Sequence, residues 1–162
     1  MGPDVPPGHA DEKAMLLAWL NMHRDIMVYK IEGLTEDQAR FRPSPTANSL
    51  LNLIVHLTGV ERNWFQRTIA GREVARDRDA EFGDLTATVS EAVEAYRAEC
   101  LRSDQVLDEV GSLGDACLGE PGYSVRWVVL HLIEETARHA GHADITRELV
   151  DGLVGYSRYE RD

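Results

Sequence analysis

A candidate metal-binding set begins in the segment HLIEETARHAGH, which runs from His131 to His142. His131, Glu135 and His139 follow one another at intervals of four residues, so in a helix they share one face, with Cβ atoms about 5–6 Å apart. The same face carries apolar residues that should turn towards a core, among them Val128, Leu132, Ala143 and Leu149, together with His142. An unpaired carboxylate in such a stripe is unfavourable, and either a bound cation or a buried ion pair would relieve it.

A third ligand could come from an earlier helix. His56 lies in the segment IVHLTGVE, between Leu53 and Val60, on the apolar side of that helix. Helical bundles build metal sites from inward-facing side chains of neighbouring helices. His56, Glu135 and His139 would supply two imidazoles and one carboxylate, leaving coordination positions open, as in catalytic zinc sites. Nickel and non-haem iron accept similar ligands.

Spacing alone leaves other interpretations open. A Glu/His pair four residues apart is common on solvated helix faces, and a lone buried histidine such as His56 is more often a hydrogen-bonded core residue than a ligand. The spacing does not establish that the helices carrying His56 and Glu135 touch. Cys100 and Cys117 form no CxxC pattern, and we expect both to be free thiols in a reducing compartment.

Length and charge restrict the class of protein. The chain has 162 residues, which suits a single domain, and a net charge of −11, which argues against binding nucleic acid or an anionic membrane surface. No apolar run approaches the roughly 20 residues of a membrane span. We therefore expect a cytoplasmic protein with a disordered N-terminal arm at residues 1–10 and one helical domain over residues 11–162.

The elements that would position these residues are all helical. Apolar residues at spacings of three and four predict long helices over about 11–32, 49–69, 88–111 and 124–150, and no segment alternates as a β-strand would. Thr35 and Gln38 predict a capping box for a short extra helix. The charged segment 71–85 predicts a loop with room for a crossover or a lid. The fold class expected is an all-α, antiparallel four-helix bundle.

Two segments carry a family resemblance: SLLNLIVHLTGVERNWF, around His56, and YSVRWVVLHLIEETARHAGHADITRELVDG, around Glu135 and His139. Together they resemble the DinB-like superfamily, and in particular its actinobacterial branch related to the N-terminal domain of mycothiol-dependent maleylpyruvate isomerase. This resemblance implies an up-and-down four-helix bundle with a metal at one end of its core. It also implies the ligand set His56, Glu135 and His139, with His142 as at best a supporting group or an alternate ligand.

The resemblance further implies an activity. Relatives of known activity join a low-molecular-weight thiol such as mycothiol to a small-molecule electrophile, or isomerise a substrate through such an adduct. The expected activity is therefore that of a metal-dependent thiol S-transferase or of a related isomerase or hydrolase. The expected cofactor is a divalent metal, with zinc first and nickel or iron as alternatives. Arg126 is the expected residue for holding a carboxylate of the thiol cosubstrate, whereas a surface ion pair is expected for Arg138. A homodimer is a possible assembly.

Two competing hypotheses belong to other classes. One is a non-catalytic metal-binding or stress-response module, which predicts a closed ligand shell, for example with His142 as a fourth ligand. The other is a bundle that uses its polar face for dimerisation without any metal.

Overall fold

The computed structural model describes residues 5–155, and within them the fold is an all-α bundle. The second long helix, Leu50–Glu61, continues directly into eight residues of π-helix, Arg62–Ile69, which we call the π-segment. The helices are α1 (Glu12–Ile31), α2 (Glu36–Ala39), α3 (Leu50–Glu61), α4 (Arg78–Glu81), α5 (Val89–Glu109) and α6 (Val125–Asp151). None of them is both long enough and apolar enough to cross a membrane.

Helix starts follow local side-chain chemistry. At each start a side-chain oxygen accepts a hydrogen bond from a backbone N–H of the first turn, which otherwise has no partner within the helix. These N-cap residues are Asp11, Thr35, Ser49, Asp77, Thr88 and Ser124. The predicted capping box at Thr35 is present, and Thr88 forms a second one with Glu91. Helix α6 ends at Gly152, whose φ of 79° is readily adopted by glycine.

Helices α1 and α6 run parallel to each other. Glu12 near the start of α1 pairs with Arg126 near the start of α6, and Lys30 near the end of α1 pairs with Asp144 towards the end of α6. Helix α5 is antiparallel to α1, because Arg24 in the middle of α1 pairs with Asp104 late in α5, whereas Glu32 at the end of α1 pairs with Arg97 early in α5.

Helices α3 and α5 also run parallel. Val55 and Ala92, early in the two helices, line one cleft, and Arg62 pairs with Glu99 further along. The four long helices therefore run up, down, down and up.

The predicted all-α bundle of DinB-like type is confirmed, but its helix directions differ from a simple up-and-down alternation. The reason lies in the connection between Ile69 and Val89. Its 19 residues, 70–88, can reach about 60 Å when extended. They therefore return along the roughly 30 Å of α3 and its π-segment. Residues 70–88 are therefore the crossover for which the sequence indicated room, and α4 forms within them.

Two apolar clusters fill the bundle, and a buried ion pair lies beside them. One cluster centres on Ile26, Leu53 and Tyr96, and the other on Leu20, Phe65 and Val128. Arg24, 3% exposed, makes two hydrogen bonds to the fully buried Glu61 at 2.8 and 2.7 Å. Such a pair is tolerated in a core because each charge is both neutralised and hydrogen-bonded.

The predicted domain division stays a prediction. Residues 1–4 and 156–162 lie outside the described residues, so the expected arm at 1–10 is described only from residue 5, and residues 5–10 contain no helix. From Glu12 to Asp151 the described helices form one bundle around the two apolar clusters.

Candidate metal centre

His56, Glu135 and His139 converge between α3 and α6. One donor atom from each residue lies within 4.8 Å of the other two. The Nε2 atoms of His56 and His139 approach the same carboxylate oxygen, Oε1 of Glu135, at 3.4 and 3.3 Å. The antiparallel packing of α3 against α6 produces this arrangement, since it places the middle of one helix against the middle of the other. The contact between helices that spacing could not establish is therefore present.

The other ring nitrogen of His56 contacts a second carboxylate. Its Nδ1 lies 2.9 Å from Oε2 of Glu81, at the end of α4 in the crossover. An ionised carboxylate can only accept, so the shared hydrogen belongs to Nδ1 of His56. In the neutral imidazole this leaves the lone pair on Nε2, directed towards Glu135 and His139. Metal-ligating histidines are commonly oriented in this way by a carboxylate.

Glu81 is itself fixed by its neighbours. The guanidinium of Arg76 donates to both of its carboxylate oxygens, at 2.6 and 2.9 Å, and the side-chain amide of Asn52 donates to its backbone carbonyl at 2.9 Å. Burial raises the pKa of Glu81, but the hydrogen bonds from Arg76 and His56 outweigh that effect, and the net shift is downwards. Glu81 is therefore ionised at neutral pH although it is only 6% exposed.

The absence of a side chain at Gly59 allows Glu81 and Arg76 to approach the backbone of α3. A Cβ at Gly59 would lie 2.1 Å from Oε1 of Glu81 and 2.9 Å from Nε of Arg76. The crossover thus lies directly on the backbone of α3, one turn after His56. Any other residue at position 59 would displace the two side chains that hold His56.

The electrostatics of Glu135 suit a cation. The contacts with the imidazoles of His139 and His56 favour the ionised carboxylate and hold the pKa of Glu135 well below its ordinary value, more than offsetting the rise caused by partial burial. Its side chain is 23% exposed, that of His139 is 14% exposed and that of His56 is 4% exposed. The centre is consequently buried on the side of His56 and open to solvent on the side of α6.

The residues present fit a divalent metal. With its Nδ1 hydrogen committed to Glu81, neutral His56 turns an acceptor, Nε2, towards another acceptor, Oε1 of Glu135, at 3.4 Å. Two acceptors at this distance repel each other unless a proton or a cation lies between them. Two imidazole nitrogens and one carboxylate oxygen are the usual ligands of zinc and also suit nickel or iron.

The other histidines of α6 lie outside this set. The ring of His142 is exposed and lies 5.7 Å from that of His139, but no donor of His142 joins the three that converge. Nδ1 of His139 is buried and has no hydrogen-bond partner within residues 5–155. His131, one turn before Glu135, stacks on Trp127 with ring centroids 5.2 Å apart.

The two arginines considered from sequence are both in surface ion pairs. Arg138 pairs with Glu134 at 2.6 Å, as predicted. Arg126 donates to both carboxylate oxygens of Glu12, at 2.6 and 3.0 Å, and lies nine residues before Glu135, about 13 Å along the helix axis. Its predicted role in binding the thiol stays a prediction.

The thiols offer no competing site. Burial raises the pKa of the Cys100 thiol, which keeps it protonated and unreactive at neutral pH. Burial also raises the pKa of Cys117, and both are free cysteines.

Sequence reasoning missed Glu81, Arg76 and Gly59. Glu81 lies 25 residues from His56, in a segment read as a charged loop, and nothing in its spacing links the two. The one signal in the sequence was Gly59, a glycine one turn after the candidate ligand His56 in an otherwise apolar helix. Such a glycine can indicate that another part of the chain approaches the backbone closely.

Comparison with known proteins gives a family and a fold. The model of one protein family, described as Mycothiol-S-transferase, matches residues 15–152. A conserved protein from Enterococcus faecalis, whose crystal structure is solved, is 16% identical, with a TM-score of 0.60, and the match covers 90% of this chain and 100% of that one. At this identity the likeness concerns the fold alone. No curated protein matches the chain.

Proposed function

Because the chain belongs to the mycothiol S-transferase family, we propose that it joins the sulfur of mycothiol to a small-molecule electrophile at a metal centre held by His56, Glu135 and His139. The family indicates a metal-dependent, mycothiol-dependent S-transferase. The observation that carries the proposal is the approach of Nε2 of both histidines to one oxygen of Glu135, at 3.4 and 3.3 Å.

Zinc is the metal that this proposal favours, with nickel or iron as alternatives. When bound, a divalent metal stabilises a thiolate at neutral pH, and the thiolate is the nucleophilic form of a thiol. Two neutral imidazoles and a single carboxylate would leave the centre with a net positive charge, which attracts an anionic sulfur. Three protein ligands also leave a coordination position open.

The chain's own residues prepare the centre. Glu81 keeps the Nδ1 hydrogen of His56 in place, so Nε2 stays available as a donor atom. Partial exposure of Glu135 and His139 gives substrates access from the side of α6. In the reaction the thiol loses its proton to solvent, the sulfur forms a bond to the electrophilic carbon, and the leaving group departs with the electron pair of the broken bond.

Arg126 is proposed to hold a carboxylate of the thiol cosubstrate. In the described structure its guanidinium is occupied by Glu12, so this role would require exchange of one carboxylate partner for another. An Arg126→Ala variant tests it: a raised KM for mycothiol with an unchanged kcat supports the role, and unchanged values of both contradict it.

We further propose a cytoplasmic location and a homodimer as the assembly. The supporting features are the two free cysteines, which fit a reducing compartment, and exposed tryptophans such as Trp19 and Trp127, which could lie at an interface. Sedimentation of the purified protein tests the assembly.

The non-catalytic binding module is less well supported. It requires a closed ligand shell, whereas His142 does not join the converging donors in residues 5–155. Retained metal binding with no conjugation of any electrophile would favour it.

Conjugation assays test the proposed activity. Zinc-loaded protein is incubated with mycothiol and an electrophile, and the thioether is measured for the wild type, His56→Ala and Glu135→Gln. We expect both variants to lose at least 100-fold in rate. The matched control is Glu134→Gln, which removes the neighbouring exposed carboxylate and should keep wild-type activity. Equal activity of Glu135→Gln and Glu134→Gln would contradict the proposal.

A further inference from the structure

One nitrogen of the candidate metal centre has no acceptor in the described structure. Nε2 of His139 faces the carboxylate of Glu135 at 3.3 Å, whereas Nδ1 of the same ring is buried and has no hydrogen-bond partner within residues 5–155. When Nε2 of a neutral imidazole binds a metal, the ring hydrogen is on Nδ1. His139 then carries a buried donor that needs an acceptor, because buried polar groups in folded proteins are almost always hydrogen-bonded.

A buried hydroxyl on the same helix is also without a partner. Thr136 is 1% exposed, and its Oγ1 makes no hydrogen bond in the part of the chain that the structure describes. Two other buried helical threonines use their hydroxyls differently: those of Thr58 and Thr146 donate to the carbonyl four residues earlier, each at 2.9 Å. The hydroxyl of Thr136 is therefore available, and a hydroxyl can accept one hydrogen bond while it donates another.

Helix geometry brings this hydroxyl close to the ring of His139. Thr136 precedes His139 by three residues, so the two side chains are neighbours on the surface of α6. Long side chains in a helix point back towards its N-terminus, and the contact of His139 with Glu135 shows this direction. The ring of His139 therefore lies over the preceding turn, residues 133–136, in which Thr136 is the one buried residue. The buried Nδ1 and the buried hydroxyl belong to the same interior side of α6.

We propose that Thr136 is a positioning residue for His139, and that its hydroxyl oxygen accepts the Nδ1 hydrogen of His139 when Nε2 binds the metal. This inference rests on the proposed function, since it concerns the same metal centre. Threonine in a helix occupies two rotamers about χ1, so rotation about this bond redirects the hydroxyl without moving the backbone. The hydroxyl can then donate its own hydrogen to the carbonyl of Leu132, the arrangement that Thr58 and Thr146 adopt in their helices.

The two ligand histidines are in this way oriented by acceptors of different charge. Glu81, an ionised carboxylate paired with Arg76, holds Nδ1 of His56. A hydroxyl on the side of His139 carries no charge. It fixes the second ring without reducing the net positive charge of a divalent metal bound to one carboxylate, and this charge is what attracts a thiolate sulfur.

Zinc affinity, measured by competition with a chromophoric chelator, tests the proposal. Thr136→Val keeps the shape of the side chain and removes only the hydroxyl. We expect it to bind zinc about tenfold more weakly than the wild type, at the lower end of the effect of losing an orienting partner. Thr136→Ser retains the hydroxyl and should bind zinc nearly as tightly as the wild type. Equal affinities of Thr136→Val and Thr136→Ser would overturn the proposal.

Thr146→Val is the matched control. Thr146 lies on the same helix, is 4% exposed, and its hydroxyl donates to the carbonyl of His142. The same substitution at this position should leave zinc affinity unchanged, because the hydroxyl that it removes is engaged by its own helix. An equal loss of affinity in Thr146→Val and Thr136→Val would overturn the proposal.

The competing acceptor is His23 on α1. Its Nδ1 is also buried without a partner among residues 5–155, and a neutral imidazole nitrogen can accept a hydrogen bond. His23→Leu should therefore keep wild-type zinc affinity if Thr136 is the acceptor. Weaker zinc binding in His23→Leu, together with wild-type binding in Thr136→Val, would overturn the proposal.

Nuclear magnetic resonance supplies a readout that a purely structural role of Thr136 would not change. In zinc-loaded protein with isotope-labelled histidine, the Nδ1 proton of His139 should resonate downfield and exchange slowly with solvent, and it is assigned by its loss in His139→Gln. Thr136→Val should move this proton upfield and leave the Nδ1 proton of His56 in place. Fast exchange of the His139 proton in the wild type would overturn the proposal without any variant.

These measurements separate failure of this inference from failure of the proposed function, because neither depends on activity. Zinc binding that weakens in Thr136→Val, in a protein that conjugates no electrophile, would retain the role of Thr136 and refute the S-transferase. Wild-type zinc affinity in a Thr136→Val protein that still conjugates would refute this role alone. Urea denaturation verifies that each variant is folded, and the wild-type spectrum decides if Thr136→Val is not.

Discussion

Nδ1 of His56 lies 2.9 Å from Oε2 of Glu81, and this contact joins the candidate metal centre to the crossover between α3 and α5. Glu81 is held in turn by two hydrogen bonds from Arg76. The crossover is therefore part of the site, because it fixes the tautomer and the ring orientation of a metal-binding histidine.

Removing the carboxylate of Glu81 should weaken metal binding. Loss of such an orienting partner typically reduces metal affinity about 10- to 100-fold. We expect Glu81→Ala to reach that range and Glu81→Gln to lose less, because the amide oxygen can still accept from Nδ1 of His56. Competition for zinc with a chromophoric chelator measures the affinities. Wild-type affinity in Glu81→Ala would show that the contact does not orient His56.

Replacing Gly59 with alanine should also disturb the contact between His56 and Glu81. Alanine is a better helix former than glycine by about 1 kcal/mol, yet its Cβ would lie 2.1 Å from Oε1 of Glu81. We expect Gly59→Ala to gain no stability and to lose zinc affinity. In the control, Gly141→Ala, nothing lies within 4 Å of the added Cβ, and a gain of about 0.5–1 kcal/mol is expected. Chemical denaturation and the chelator assay measure both. Equal gains at the two glycines would contradict the role assigned to Gly59.

The sequence predicted the helices better than their directions. Caps and apolar spacing are local, so the bounds at Ser49, Thr88 and Ser124 agree with expectation within a residue or two. Helix direction depends instead on how residues 70–88 return along the bundle, which no local pattern encodes. The sequence did not predict the π-segment either, because its residues have the composition of an ordinary α-helix.

The candidate site was predictable only in part. Glu135 and His139 share a helix face through their spacing of four, which is a local property. Their contact with His56 depends on packing between helices, and it was expected from the resemblance. Glu81 reaches His56 through a crossover whose course the sequence does not specify.

Breaking the buried ion pair should destabilise the bundle strongly. In Arg24→Met the fully buried carboxylate of Glu61 loses both hydrogen bonds from the guanidinium. Removing one partner of a buried pair costs about 3–5 kcal/mol of the free energy of unfolding. The double variant Arg24→Met/Glu61→Gln should recover part of this loss, because no fully buried charge is then left uncompensated, although the partly exposed Asp104 still lacks its partner. Urea denaturation measures both, and a double variant less stable than Arg24→Met would contradict this explanation.

The pH dependence of stability should contain a contribution from His23. Burial lowers the pKa of His23, and its Nδ1 is buried without a hydrogen-bond partner within residues 5–155. The unfolded chain, with a histidine pKa of about 6.5, then binds the proton more readily, so this contribution to stability falls as pH drops through that value. His23→Gln should flatten the decrease between about pH 7 and 5.5. An unchanged slope in urea denaturation of the zinc-loaded proteins would refute this.

The number of zinc ions bound per chain tests the central claim most directly. Protein reconstituted with zinc and freed of excess metal by gel filtration is analysed by plasma mass spectrometry, for the wild type, for His56→Ala/Glu135→Gln/His139→Ala and for the control Glu134→Gln. We expect one zinc per chain in the wild type and in the control, and none above background in the triple variant. No zinc in the wild type, or one zinc retained in the triple variant, would contradict a metal centre at His56, Glu135 and His139.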